Sequence, residues 1–208
     1  YARDGTDQAA WDRMLDTLAT GDPARSLELI PRKAVEPRRI DARKCDELRR
    51  QWAAMTDTLQ FLPMTRALGI NRLGALHMAG SPFATALAPD CIPTLFEQLV
   101  NDDIPLMIFV GNPGCIQIHA GPVHKLRTMG HWFNVMDPRF NLHLRTDRIA
   151  EVWRVEKPTR HGPAISIEAF DPDGDLIVQL FGLRKPDLDL RPPFVARVDH
   201  LPTLESVA

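Results

Sequence analysis

Hydrophobic residues recur along this chain at two periods, and the change from one to the other divides it. Over residues 6–20, Trp11, Met14, Leu15 and Leu18 fall at helical spacing behind Thr6 or Asp7, either of which can cap the helix, and Gly21-Asp22-Pro23 ends the run. From Asp22 to about Asp41 prolines and charges mix with scattered aliphatics, the composition of a linker or surface-hugging connection. Helical spacing resumes through Leu48, Trp52, Met55, Leu59, Leu62 and Leu68, with Pro63 expected to kink the segment or start a second helix. A short helix is predicted over 71–79, stopped by Gly80-Ser81-Pro82, and another over 89–100 with Asp90 as its cap.

After Asp103 the period falls to two. Strands are predicted at Leu106–Val110, Cys115–His119, Trp132–Met136, Phe140–Leu144, Ile149–Val155, Ala164–Phe170 and Leu176–Phe181. Gly111-Asn112-Pro113-Gly114 joins the first two as a hairpin. Asp171-Pro172-Asp173-Gly174 joins the last two, with Pro at the second turn position and Gly where a positive φ is wanted. The expected fold class is α+β: helices first, packed on one face of a single large antiparallel meander of about seven strands. After Lys185 the prolines at 186, 192, 193 and 202 leave little periodicity, so this tail is expected to wrap the surface or fray. The domain reading is a helix and Pro-rich linker over 1–41, an α+β domain over 42–186 and a tail over 187–208.

Composition narrows the function classes. With 208 residues and 44% hydrophobic content the chain can build a good-sized core. Its 25 basic and 27 acidic residues nearly cancel, which gives no general attraction to nucleic acid or anionic lipid. No apolar run is long enough for a membrane-inserted helix. Cys45, Cys91 and Cys115 are odd in number and lack zinc-ligand spacing, so they read as reduced thiols in a cytoplasm, Cys115 as a buried strand residue. None of the seven histidines pairs at HxxxH or HExxH spacing, and no phosphate loop, dinucleotide fingerprint or GxSxG elbow is present. Arg154, Lys157, Arg160, Arg184 and Lys185 gather near the ends of late strands. They read either as solvated charges or as an anion site for carboxylates or phosphates.

Several linked segments carry a resemblance. They are Phe109-Val-Gly-Asn-Pro-Gly-Cys-Ile-Gln-Ile-His-Ala-Gly-Pro-Val123, Trp132-Phe-Asn-Val-Met-Asp-Pro-Arg-Phe-Asn-Leu-His-Leu-Arg145, Ile149-Ala-Glu-Val-Trp153, Lys157-Pro-Thr159, Ser166-Ile-Glu-Ala-Phe-Asp-Pro-Asp-Gly174 and Gln179-Leu-Phe-Gly-Leu-Arg184. In order and spacing these resemble the second half of the hemin-degrading factor (hemin transport, haem-utilisation) family of HemS/ChuS/HmuS type. Members have two similar halves, and Tyr1-Ala-Arg-Asp-Gly5 resembles the end of the first half. The chain is therefore expected to be a C-terminal repeat with its linker.

The resemblance implies haem b (hemin) as ligand, a role in cytoplasmic haem trafficking and iron acquisition, and haem degradation in the full-length form. It implies as partners a haem transporter or haem oxygenase and the N-terminal repeat of the same protein. It places Arg72 among basic residues facing the haem propionates, and Lys157, Gln179 and Arg184 among polar residues of the same cleft. Phe181 stands where the family often has tyrosine. The family's iron-ligating histidine falls on Leu59, which cannot ligate iron. His77 is then a possible substitute, although five residues beyond Arg72 it lies about 140° around an ideal helix. With no ligand secured, ring opening by this chain alone has the least support. The alternative reading is an interaction or regulatory domain of the same fold that does not bind haem.

Overall fold

A computed structural model of the chain describes residues 5–19, 38–185 and 188–204. Most of the expected linker, residues 20–37, and the first four residues lie outside the described residues. The chain divides into two units, Tyr1–Ala34 and Val35–Ala208. In the first, helix α1 (Gln8–Leu18) is capped by Asp7, whose carboxylate accepts from the Ala10 N–H at 2.9 Å.

The second unit starts with three short helices, α2 (Cys45–Ala53), α3 (Phe61–Ala67) and α4 (Arg72–Ala79). Pro63 sits in the first turn of α3, where its missing N–H leaves no helical bond unmade, so it begins a second helix. Trp52 centres this group: its ring meets Phe61 edge-on at 4.7 Å, and its indole N–H donates to the Glu156 carbonyl at 2.8 Å. The next elements are β1 (Ala84–Leu87) and α5 (Cys91–Asn101), the latter without the side-chain cap expected from Asp90.

Strands β2 (Leu106–Gly111), β3 (Ile116–Gly121), β4 (Leu126–Met129), β5 (Trp132–Asp137), β6 (Phe140–Arg145), β7 (Glu151–Lys157), β8 (Ala164–Phe170) and β9 (Leu176–Gly182) follow. A single 3-10 turn at Thr146–Arg148 joins β6 to β7. Two-residue strands β10 (Arg184–Lys185) and β11 (Leu188–Asp189) then lead to α6 (Arg191–Val198). The main sheet is antiparallel with order β1-β7-β8-β9-β2-β3.

The α+β class is as expected, but the single meander is not. Strands β4, β5 and β6 form their own three-stranded sheet. Its inward residues Phe133, Val135 and Leu144 pack into the same core as Leu106, Ile108, Ile167 and Leu180 of the main sheet. Alternation reveals which residues face a core; it does not reveal which strands share hydrogen bonds. The helices also occupy both faces of the main sheet. On one face α5 and α6 join that core, while α2–α4 build a second core against Trp153, Val155 and Phe170 on the other. Along β7 the switch is visible residue by residue, with Val152 in one core and Trp153 in the other.

The tail also differs from its expectation, because residues 191–198 form a helix that buries Phe194 and Val198 completely. Gly182 permits the approach: a Cβ there would lie 2.7 Å from Arg191 Cα and 3.0 Å from Phe194 Cβ. The hairpin at 171–174 is as read, with Gly174 at φ +90°. Cys115, expected to be buried, lies exposed just before β3, an edge strand whose first three residues face solvent.

Candidate functional site

On the face covered by α2–α4, the helical core reaches the start of β9 at Leu176, and the later part of β9 and the adjoining β2 line an open cleft. The cleft has a volume of ≈ 450 Å³, within the usual range for small-molecule sites. Register places its wall. Phe109 pairs with Gln179 and Met107 with Phe181 across β2–β9, while Glu168 pairs with Gln179 and Ser166 with Phe181 across β8–β9. All of these side chains therefore share one face. Phe109 and Phe181 meet edge-to-face at 5.3 Å. Opposite them, Leu59, Phe61 and Leu62 come from the 3-10 turn Thr58–Gln60 and the start of α3. Asp57 and Gln60 close that turn with a capping box, which fixes the backbone under Leu59 while its side chain stays 81% exposed at the mouth.

The residues singled out in the sequence converge here. Arg72, Lys157, Gln179, Phe181 and Arg184 all line this cleft, as does Leu59. Arg72 is the first residue of α4, set by Asn71, whose side chain caps the helix through the Gly74 N–H at 2.9 Å. Lys157 ends β7 and Arg184 begins β10. His77 does not join them. Its Nε2 lies 2.7 Å from a Glu151 carboxylate oxygen and 2.9 Å from Arg38 Nη1, and its ring packs edge-on against Trp153 at 4.7 Å. The part of substitute ligand in this cleft is thus corrected: the turn of α4 between Arg72 and His77 points His77 elsewhere. Arg154 also leaves the expected basic cluster; it faces the opposite side of β7 and pairs with Glu156 and Asp199.

Glu168 is the residue that sequence reasoning missed. It is fully buried beneath the cleft and gathers Lys157 at 2.7 Å, Arg72 at 2.8 Å, Gln179 at 2.9 Å and the Ser166 hydroxyl at 3.3 Å. Burial would push its carboxyl pKa up, but the charges and hydrogen bonds of Lys157 and Arg72 outweigh that and hold it at about 2. Burial pushes the Lys157 ammonium down, Glu168 opposes that, and the neighbouring Arg72 adds to it. Both cations lie over the Phe61 ring, Lys157 Nζ at 4.7 Å and Arg72 Cζ at 5.5 Å from its centre. A signal for Glu168 existed: in the Ala164–Phe170 run it falls on the same strand face as Ser166, one strand away from a lysine.

Arg191, on α6, is a second addition. Its guanidinium grips Asp189 through two bonds of 2.8 and 2.6 Å, and that contact holds the aspartate at about 2. The cleft is thus lined by four cations, Arg72, Lys157, Arg184 and Arg191, and by no acidic residue among those described. Among the described residues two carboxylates, Glu168 and Asp189, neutralise two of the four, which leaves two positive charges unmatched by those residues. Among the described residues no group of three or more His, Cys, Asp or Glu could hold a metal ion, and no helix is long and apolar enough to cross a membrane.

Known proteins resemble this chain in sequence and fold. Residues 69–196 match the family described as the haemin-degrading HemS.ChuX domain. The chain is 37% identical over 186 residues to the hemin transport protein HmuS of Yersinia pestis, covering 88% of this chain and 53% of that protein. Holo-PhuS, a heme-binding protein from Pseudomonas aeruginosa, superposes with a TM-score of 0.88 at 42% identity, covering 95% of this chain and 57% of that one. The heme degrading enzyme ChuS of Escherichia coli O157:H7 gives a TM-score of 0.85 at 35% identity, covering 97% of this chain and 58% of that one. The chain thus spans a little over half the length of these relatives. By its matched residues and these relatives, this chain belongs to the haemin-degrading HemS/ChuX domain family.

Proposed function

We propose that this chain binds haem b in the cleft between Phe61 and the Phe109–Phe181 wall, and serves as a haem-holding module in cytoplasmic haem trafficking and iron acquisition. The observation that carries the reading is the charge count. Among the described residues, a cleft with aromatic and aliphatic walls keeps two unmatched positive charges at its edge, and haem is an apolar disc with two carboxylates. Arg72 and Arg184 are the residues assigned to the propionates. Arg72 uses one nitrogen on Glu168 and keeps the rest of its fork for a ligand. Phe181 supplies ring contact without a hydroxyl. Gln179 and Lys157 support the wall through Glu168.

What this chain lacks at its mouth is an imidazole, since Leu59 stands where the family's iron ligand is expected. Holding haem by its edge and faces suits a carrier. Haem degradation is assigned to the full-length form with its N-terminal repeat, and transfer to a haem transporter or haem oxygenase partner belongs to the same proposal. Titration with hemin, followed at the Soret band, tests the reading. Saturable binding to the wild type is expected, with a loss of about tenfold or more in Arg184→Glu, which reverses one of the two unmatched charges. Equal affinities would remove the cleft from the account. A second reading rests on Leu59 itself, an exposed leucine better suited to a protein contact than to iron, and complete absence of a hemin-dependent Soret band would favour it.

A further inference from the structure

The Glu168 cluster poses a question that haem binding alone does not answer. A carboxylate with no solvent exposure sits under a cleft assigned to an anionic ligand, where it competes for the same cations. We propose that Glu168 is a positioning residue: it is the internal counter-ion that keeps Lys157 charged and Arg72 aimed into the cleft, and so sets how many negative charges the ligand must bring. This rests on the haem reading for its ligand, but the chemistry of the cluster stands apart from it.

The geometry leaves Lys157 no substitute for Glu168. Its side chain is 5% exposed, and among the described residues its anionic partner is Glu168. The groups facing it from the surrounding elements are Arg72 on α4, a second cation, and the Phe61 ring on α3, with Ser166 on β8 and Gln179 on β9 reaching the same carboxylate. Farther along β7, Glu151 is held by His77 and the Trp153 indole. At the rim Arg191 is closed on Asp189, and Arg184 adds only positive charge. Removing the charge of Glu168 therefore leaves an ammonium buried beside a guanidinium with no anion. A lysine so placed gives up its proton near neutral pH. Water-accessible lysines on the surface would show no such dependence.

The experiment compares the wild type with Glu168→Gln and with the double variant Lys157→Met/Glu168→Gln, which removes the stranded ammonium along with the charge. Two readouts are taken over pH 6 to 9: hemin affinity, and melting temperature without hemin. In Glu168→Gln, Lys157 has a folded pKa below its unfolded value near 10.4. Between the two values the unfolded state binds more protons, so stability rises with pH. The deficit in melting temperature against the wild type is accordingly expected to shrink as pH rises, and the double variant to show no such slope. Hemin affinity in Glu168→Gln is expected to fall by about tenfold from pH 6 to 9 relative to the wild-type profile, as Lys157 loses its charge.

Failure modes separate. Parallel profiles in both readouts, with hemin bound, overturn the role of Glu168 and leave the haem reading intact. A shrinking deficit without any hemin binding keeps the counter-ion and overturns the ligand. If Glu168→Gln does not fold while the double variant does, the stranded ammonium is the cause, as proposed. If neither folds, nitrogen-15 NMR of the wild-type Lys157 side chain decides: an ammonium at pH 8 supports the proposal and a neutral amine overturns it.

Discussion

Replacing Gly182 with alanine tests whether the C-terminal helix is a wall of the cleft or an appendage. Gly182 ends β9 and lines the cleft, and α6 crosses directly over it. The new methyl carbon would sit 2.7 Å from Arg191 Cα, 3.0 Å from Phe194 Cβ and 3.2 Å from Arg191 Cβ, so the neighbours are backbone and branch points instead of flexible ends. The helix must move, and Phe194, fully buried in the main core, must move with it. Overpacking of this kind costs about 1–3 kcal/mol. Restricting the unfolded chain returns roughly 0.4–1 kcal/mol, which leaves a net loss of about 1–2 kcal/mol and a fall in melting temperature of roughly 3–6 °C for a chain of this size. Urea unfolding should show a lower midpoint at unchanged slope. Hemin affinity should fall too, because Arg191 is displaced from the rim. A melting temperature and affinity both equal to wild type would refute the packing described for α6.

Other outcomes follow from single residues. Leu59→His should leave stability within about 0.5 kcal/mol, because the side chain is exposed and the turn is closed by Asp57 and Gln60, while hemin binding tightens by about tenfold or more and the Soret band sharpens; a silent variant would remove Leu59 from the ligand position. His77→Ala should not change the hemin spectrum, yet should cost about 1 kcal/mol by taking a partner from Glu151, and loss of a histidine-type spectrum would contradict the placement of His77. A thiol reagent at pH 8 should modify exposed Cys115 rapidly and spare Cys91, whose thiol burial, and secondarily the nearby Asp90, push up to about 12; equal rates would contradict the burial of Cys91.

Much of this fold can be read along the chain, since strand runs such as Ala164–Phe170 and the Asp171–Gly174 turn are local statements that tertiary packing left intact. What could not be read was partnership. Phe133, Val135 and Leu144 alternate like residues of any half-buried strand, and nothing local says that they face a second sheet. The tail was illegible for a related reason: Pro192 and Pro193 fall in the first turn of α6, where they favour a helix, and its anchor is Gly182, a distant residue whose lack of a side chain makes the room. In the site, Arg72, Lys157, Gln179, Phe181 and Arg184 were reachable through family resemblance. Glu168 was not, and its one local signal, the strand face it shares with Ser166, takes its meaning from Lys157 and Arg72 in space.

The central claim is that this cleft takes an apolar disc bearing two carboxylates. Parallel Soret titrations of the wild-type chain with hemin and with hemin dimethyl ester test it most directly, because the ester keeps the disc and the iron and removes both charges. Saturable hemin binding at one equivalent is expected, weakened by added salt, with the ester bound about tenfold or more less tightly and without salt dependence. Equal binding of the two, or no saturable binding of hemin, would contradict the account.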